Sequence, residues 1–172
     1  MDKKLEVGFI NVGQLVKYSG EYAHDNSTFI VTKKHDSKFY DIESICKTKK
    51  GIIETILSVT NNELELTDEW IICSGIDYSG IIIAGRKHKD CYSTLSSTVD
   101  KYGSSSGEIY VYDYLRSKNR GNEGFITSAN NFVDRKMAWK IAKLNNQIKF
   151  GLEASDNGEE SYLISENLFG ED

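Results

Sequence analysis

The stretch Gly124-Phe-Ile-Thr-Ser-Ala-Asn-Asn-Phe-Val-Asp-Arg135 runs directly into Lys136-Met-Ala-Trp-Lys-Ile-Ala-Lys-Leu-Asn-Asn-Gln-Ile148. Across that boundary the pattern changes from an aromatic-rich turn to a helix. Met137, Ile141, Leu144 and Ile148 recur at i, i+4, i+7 and i+11, which lines one helix face with apolar side chains. Asp134 stands where an N-cap carboxylate is favoured. Unpaired backbone N–H groups and the helix dipole favour an anion at such an end, so the Asp134-Arg135 pair reads as a possible phosphate seat.

Toward the N-terminus, Trp70 to Asp77 and Ile81 to Gly85 flank Tyr78-Ser79-Gly80 and predict a hairpin. Ile81-Ile-Ile-Ala lacks polar alternation, so this strand is expected to be buried on both faces. It ends in Arg86-Lys-His-Lys-Asp90, and residues from about Asp90 to Tyr102 predict a helix with Cys91, Leu95, Thr98, Val99 and Tyr102 inward. Gly103-Ser-Ser-Ser-Gly107 breaks it. Ile109 to Leu115 is compatible with strand or helix, and Ser117 to Gly124 is a polar loop. After the helix, Gly151 to Asp172 contains seven acidic residues and no Lys or Arg, with Tyr162-Leu-Ile and Leu168-Phe169 expected to dock the tail on the domain.

The first 68 residues read as short strands between turn residues: Leu5 to Ile10, Gln14 to Tyr18, Thr28 to Thr32, Ile52 to Thr60 and Glu63 to Thr67. Asn61-Asn62 suits a tight hairpin turn between the last two. The expected organisation is therefore an appended β-rich segment over 1–68, a small barrel or sheet, and an α+β domain over 69–172 whose antiparallel sheet carries two helices.

The 172 residues suit one ordinary domain or a compact domain with a small module. No apolar run approaches the roughly 18 residues a membrane span needs, and the N-terminus lacks a signal-peptide h-region, so a cytosolic protein is expected. Three widely spaced cysteines predict free thiols in a reducing compartment. The net charge of −5 argues against general affinity for duplex nucleic acid, which needs a broad basic face. A small anion needs only a few local cations.

Two constellations carry possible chemistry. His88, Asp90 and Cys91 invite a nucleophilic or acid–base reading, against which stands the plainer one that Cys91 packs inward while His88 and Asp90 hydrogen-bond at the helix start. Neither these residues nor His24, His35 and the other cysteines show zinc-ligand spacing, so no metal is expected. The second constellation gathers Arg86, Lys87, Phe125, Thr127, Asn130, Asn131, Asp134 and Arg135. Arg grips phosphate, an aromatic ring stacks on a base, and Asp or Asn bonds a hydroxyl or base edge. The alternative is a solvated basic cluster, a core Phe and an ordinary capped helix, and no glycine-rich phosphate loop decides between them.

The ordered series Ile76-Asp-Tyr-Ser-Gly-Ile-Ile-Ile-Ala-Gly-Arg-Lys-His-Lys-Asp-Cys91, then Gly124-Phe-Ile-Thr-Ser128 with Phe132-Val-Asp-Arg-Lys136 and Ala138, then Ser165-Glu-Asn-Leu-Phe169, resembles the first-described class of Thoeris anti-defence proteins. These are phage sponges that sequester cyclic ADP-ribose isomers made by bacterial TIR-domain immune proteins. The resemblance spans about 100 residues, Trp70 to Phe169. It implies an α+β fold, a homo-oligomer built on a dimer, a pocket near the dimer interface, and binding without turnover in the cytoplasm of the infected host. By motif position it implies that Phe125 stacks on the ligand, Arg86 and Arg135 meet phosphates and Asp134 contacts a hydroxyl or base. With His88, Tyr92, Thr127 and Asn131 these make up the expected ligand-binding set, with no catalytic residue and no cofactor. The chain departs from the pattern at Ser165-Glu-Asn, where Ser-Glu-Asp is commoner, and at the turn Ala129-Asn-Asn131.

Overall fold

A computed structural model describes residues 10–20, 27–36, 38–47, 53–78, 80–103, 122–151 and 161–171, with side chains in the helix from 88 described as far as 97. The expected strand from Leu5, except Ile10, and the segments Gly103-Ser-Ser-Ser-Gly107 (except Gly103), Ile109 to Leu115 and most of Ser117 to Gly124 lie outside the described residues. The chain divides into two compact units, Met1–Asp68 and Glu69–Asp172.

In the first unit, five strands form one antiparallel sheet: β1 (Leu15–Tyr18), β2 (Thr28–Lys34), β3 (Phe39–Lys47), β4 (Ile53–Thr60) and β5 (Leu64–Leu66). Their spatial order is β4-β3-β2-β1-β5. This corrects the expected hairpin across Asn61-Asn62. The two strands it was to pair lie at opposite edges of the sheet, joined by a single 3₁₀ turn, Asn61–Glu63. A Thr60/Glu63 capping box holds that turn, the Glu63 carboxylate accepting from the Thr60 N–H at 2.8 Å and its hydroxyl at 2.7 Å. So short a link between two edges requires the sheet to curl on itself into a small barrel. Its core is Ile10, Val16, Phe29, Val31, Tyr40, Ile42 and Val59.

The second unit has a four-stranded antiparallel sheet in the order β7-β6-β8-β9, from β6 (Ile71–Tyr78), β7 (Ile81–Gly85), β8 (Glu123–Thr127) and β9 (Phe132–Asp134). Among the described residues, helices α1 (His88–Gly103), α2 (Arg135–Leu144) and the short α3 (Ser165–Phe169) join it in an α+β unit. The third helix belongs to the tail, which the sequence left as an undefined docking segment. The β6-β7 hairpin forms as expected, but among the described residues β7 pairs only with β6, and Ile81 and Ile82 are 63% and 40% exposed. Continuous apolar character, taken as burial on both faces, here belongs to a strand with exposed isoleucines.

On α1, Cys91, Tyr92, Leu95 and Ser96 face inward; Cys91, Tyr92 and Leu95 pack with Ile76 of β6. Gly85 is needed at the entry because a Cβ there would lie 2.8 Å from the Cys91 amide nitrogen. The opening stretch is a hairpin, β8 and β9 pairing Phe125 with Val133 across a turn in which Asn130 takes φ 61°. Helix α2 is capped as expected, the Asp134 carboxylate accepting from the Met137 N–H at 2.9 Å. It ends earlier than periodicity suggests. Asn146 adopts φ 53°, and the Gln147 and Asn146 N–H groups return to the Ala142 and Lys143 carbonyls at 2.8 and 3.2 Å, a Schellman closure. Its buried face is therefore Met137, Ala138, Trp139, Ile141 and Ala142, with Leu144 47% exposed. Among the described residues no helix is long and apolar enough to cross a membrane.

Candidate functional site

A cavity of about 200 Å³ opens in the second unit, lined by His88, Lys89, Tyr92, Glu123, Arg135, Ile164, Ser165 and Glu166. Four separate pieces of chain supply these side chains. Lys87 and Asp90 start α1 by a side-chain cap, the Asp90 carboxylate accepting from the Lys87 N–H at 2.8 Å, which puts His88 in the first turn. Tyr92, one turn on, shares its face. Glu123 opens β8, on the same sheet face as Phe125 by the two-residue strand period. Arg135 is the first residue of α2, and the tail brings Ser165 and Glu166 at the start of α3.

The tail is tied in by backbone and side-chain bonds. Leu163 N–H donates to the Arg135 carbonyl at 2.9 Å, while the Lys149 and Phe150 N–H groups donate to the Asn167 carbonyl at 2.8 and 3.1 Å. The Asn167 amide donates to the Phe150 carbonyl at 2.8 Å. One wall of the cavity is thus a docked segment.

His88 is buried in a T-shaped contact with the Phe125 ring, their centroids 5.1 Å apart. Its Nε2–H donates to the Gly124 carbonyl at 2.9 Å, which assigns the proton to Nε2 and leaves Nδ1 to accept from the Ser165 hydroxyl at 3.2 Å. Burial, and after it the Arg135 charge, holds the imidazole below its ordinary pKa, so it is neutral at pH 7.

At the other side of the cavity, Glu123 is 11% exposed and pairs with Arg135, which is 28% exposed. Its second oxygen accepts from the Tyr92 hydroxyl at 3.0 Å. Arg135 Nε is buried without a hydrogen-bond partner. The lining therefore mixes two cations, Lys89 and Arg135, with two carboxylates, Glu123 and Glu166, around a neutral histidine.

Of the residues singled out in the sequence, His88, Tyr92 and Arg135 come together here. The others lie elsewhere. Phe125 is fully buried and makes a T-shaped contact with His88, so its ring lies in the core. Asp134 caps α2, so the anion seat expected at that N-terminus already holds a carboxylate. Arg86 lies over the Phe169 ring, 5.6 Å from its centroid. Thr127 and Asn131 both donate to Glu69, Asn131 at 2.8 Å. Glu69 is itself buried, with its other oxygen unpartnered.

Cys91 is buried, and desolvation followed by the nearby Cys73 pushes its thiol up to about 12. It is a packing residue, as the plainer reading had it. Lys89, Glu123, Ser165 and Glu166 were missed. Glu123 had a visible signal, its two-residue spacing from Phe125, but sat in a stretch read as loop.

A family model described as phage T4 y16D protein matches residues 70–169. No curated protein and no solved structure matches the chain. The matched span falls within the second unit, Glu69–Asp172, and leaves the barrel outside it.

Proposed function

Since the chain belongs to the phage T4 y16D protein family, we propose that it is a phage anti-defence protein that binds a cyclic ADP-ribose-type signal without turnover, in the cytoplasm of the infected bacterium. By removing that signal it blocks TIR-dependent immunity. The observation that carries this reading is the cavity that gathers Arg135, Lys89, His88 and Tyr92 from α1 and α2 beside the docked tail. Arg135 and Lys89 are the groups to meet phosphate oxygens, and Tyr92, Ser165 and the two carboxylates meet hydroxyls.

Size bears on how the ligand is held. A pocket that encloses a whole nucleotide-sized molecule has roughly 300–1,000 Å³. A cavity of about 200 Å³ takes one sugar and its phosphate. The remainder of the ligand is then covered from outside, by a second copy in a homo-oligomer built on a dimer.

Binding without turnover fits the chemistry of the lining. The Cys91 thiol is protonated and buried, and His88 has both ring nitrogens engaged by Gly124 and Ser165. A sponge needs ground-state complementarity and no activated nucleophile. One observation favours an enzyme that degrades the signal instead, the contact between the Ser165 hydroxyl and His88 at 3.2 Å. Against it, Ser165 is buried and the imidazole is oriented by a carbonyl where a catalytic dyad has a carboxylate.

The test is to incubate the protein with the small-molecule product of a stimulated TIR enzyme, filter off free ligand, denature the protein and identify what is released. An intact cyclic ADP-ribose isomer supports capture. A linear product establishes the enzyme, and no depletion rejects both and directs the search to a protein partner.

A further inference from the structure

We infer that Glu123 is the specificity-determining residue of this cavity, making it select anions that also carry hydroxyl donors, sugar phosphates, over phosphate or pyrophosphate alone. The inference rests on the reading of the cavity as a nucleotide site and adds what that site discriminates.

Its basis is a charge arrangement ill suited to a bare anion. Arg135, the more buried of the two lining cations, is already paired with Glu123, and Glu166 adds a second negative charge to the lining. An incoming pyrophosphate gains from Lys89 and Arg135 but meets two carboxylates. His88 gives no compensating charge, because burial and Arg135 keep it neutral.

Glu123 is also fixed before any ligand arrives. One oxygen accepts from Arg135 Nη2 and the other from the Tyr92 hydroxyl at 3.0 Å, with Tyr92 itself buried in the α1 core. Each carboxylate oxygen can accept a second hydrogen bond, so two acceptor sites remain at a carboxylate held from both ends. A sugar hydroxyl placed there converts repulsion into a charge-assisted hydrogen bond. A site built this way strongly rejects an analogue lacking the hydroxyl, since its nearly buried acceptor is then left facing an anion.

The experiment measures binding of ADP-ribose and of inorganic pyrophosphate by calorimetry to the full chain and to Glu123→Gln, alongside the capture assay for a cyclic ADP-ribose isomer. Wild-type protein is expected to prefer ADP-ribose by at least about tenfold. Glu123→Gln is expected to move the two ligands in opposite directions, weakening ADP-ribose and strengthening pyrophosphate. Tyr92→Phe, which removes one of the two fixings, is expected to weaken ADP-ribose by a smaller factor and serves if the glutamine variant fails to fold. A parallel loss of both ligands in Glu123→Gln means that Glu123 only positions Arg135 and overturns the inference. If the wild type captures the cyclic isomer yet holds pyrophosphate as tightly as ADP-ribose, the inference falls and the nucleotide reading stands. Failure to bind any of the three removes both.

Discussion

The two units use buried polarity in different ways. In the barrel, the Asp41 carboxylate accepts from the Ser58 N–H at 3.0 Å and from His35 at 2.8 Å, where two residues of β4 bulge opposite it. That is a local repair of backbone geometry. In the α+β unit, His88, Ser165 and the pair Glu123–Arg135 come from four places in the sequence and meet at one cavity. Buried polar groups that serve a neighbouring turn are structural; those that converge from distant segments around a void are the better guide to function.

The largest effect expected from breaking this contrast is in the core. Phe29→Ala, in the barrel, should cost about 3–5 kcal/mol and lower the melting of that unit. If ligand capture is lost as well, the site is not confined to the second unit. Phe125→Ala should cost a similar amount, about 3–5 kcal/mol, in the second unit, because the ring is fully buried. This replaces the expectation of a stacking residue that could be removed without harm to the fold. Thermal unfolding separates the two readings.

Next in size is Arg135→Ala. It leaves Glu123 nearly buried without its cation, and since Arg135 is 28% exposed the cost is solvent-screened to about 1–2 kcal/mol. Capture should fall far more than stability does. Equal affinity in variant and wild type would remove this cavity from consideration.

Acid titration sharpens the comparison without any substitution. The folded pKa of His88 lies below its unfolded value near 6.5, so on acidification the unfolded chain takes up the proton first. The second unit should therefore lose stability as pH falls below about 6.5. The pKa of Asp41 is depressed, chiefly by the Ser58 N–H and then by His35, so its contribution is present above the unfolded value near 3.9 and is lost only below it. Between about pH 4.5 and 6.5 these two groups should weaken one unit and spare the other. Unit-resolved hydrogen exchange across that range would show it, and His88→Gln should flatten the response of the second unit.

The smallest effect belongs to the bulge. Ser58 holds φ 58°, a left-handed conformation that costs a side chain energy, and Ser58→Gly should stabilise the barrel by roughly 0.5 kcal/mol after the entropy of glycine is counted. A chemical-denaturation midpoint would detect it.

Much of the architecture was legible because local rules write it. Asp134 caps α2, the Trp70 region pairs with Ile81 to Gly85, and Cys91 and Leu95 turn inward, all from spacing along a single element. The failures have one cause. Asn61-Asn62 resembles a hairpin turn, yet β4 pairs back on β3 and β5 pairs with β1, Leu64 opposite Tyr18, a partner far away in the chain. Likewise Thr127 and Asn131 looked available to a ligand until Glu69, about 60 residues earlier, claimed both.

Spacing along the chain was enough for an α+β unit preceded by a β-rich one, for the positions of α1 and α2, and for His88, Tyr92 and Arg135 among the chemically capable residues. Packing across the chain decided that Phe125 lies in the core, that Asp134 occupies its own helix end, and that Glu123, Ser165 and Glu166 line the cavity. Local periodicity reports which face of an element is apolar. Which polar groups share a cavity depends on strand order and on where the tail docks, and those are set by packing between segments that no short window of sequence contains.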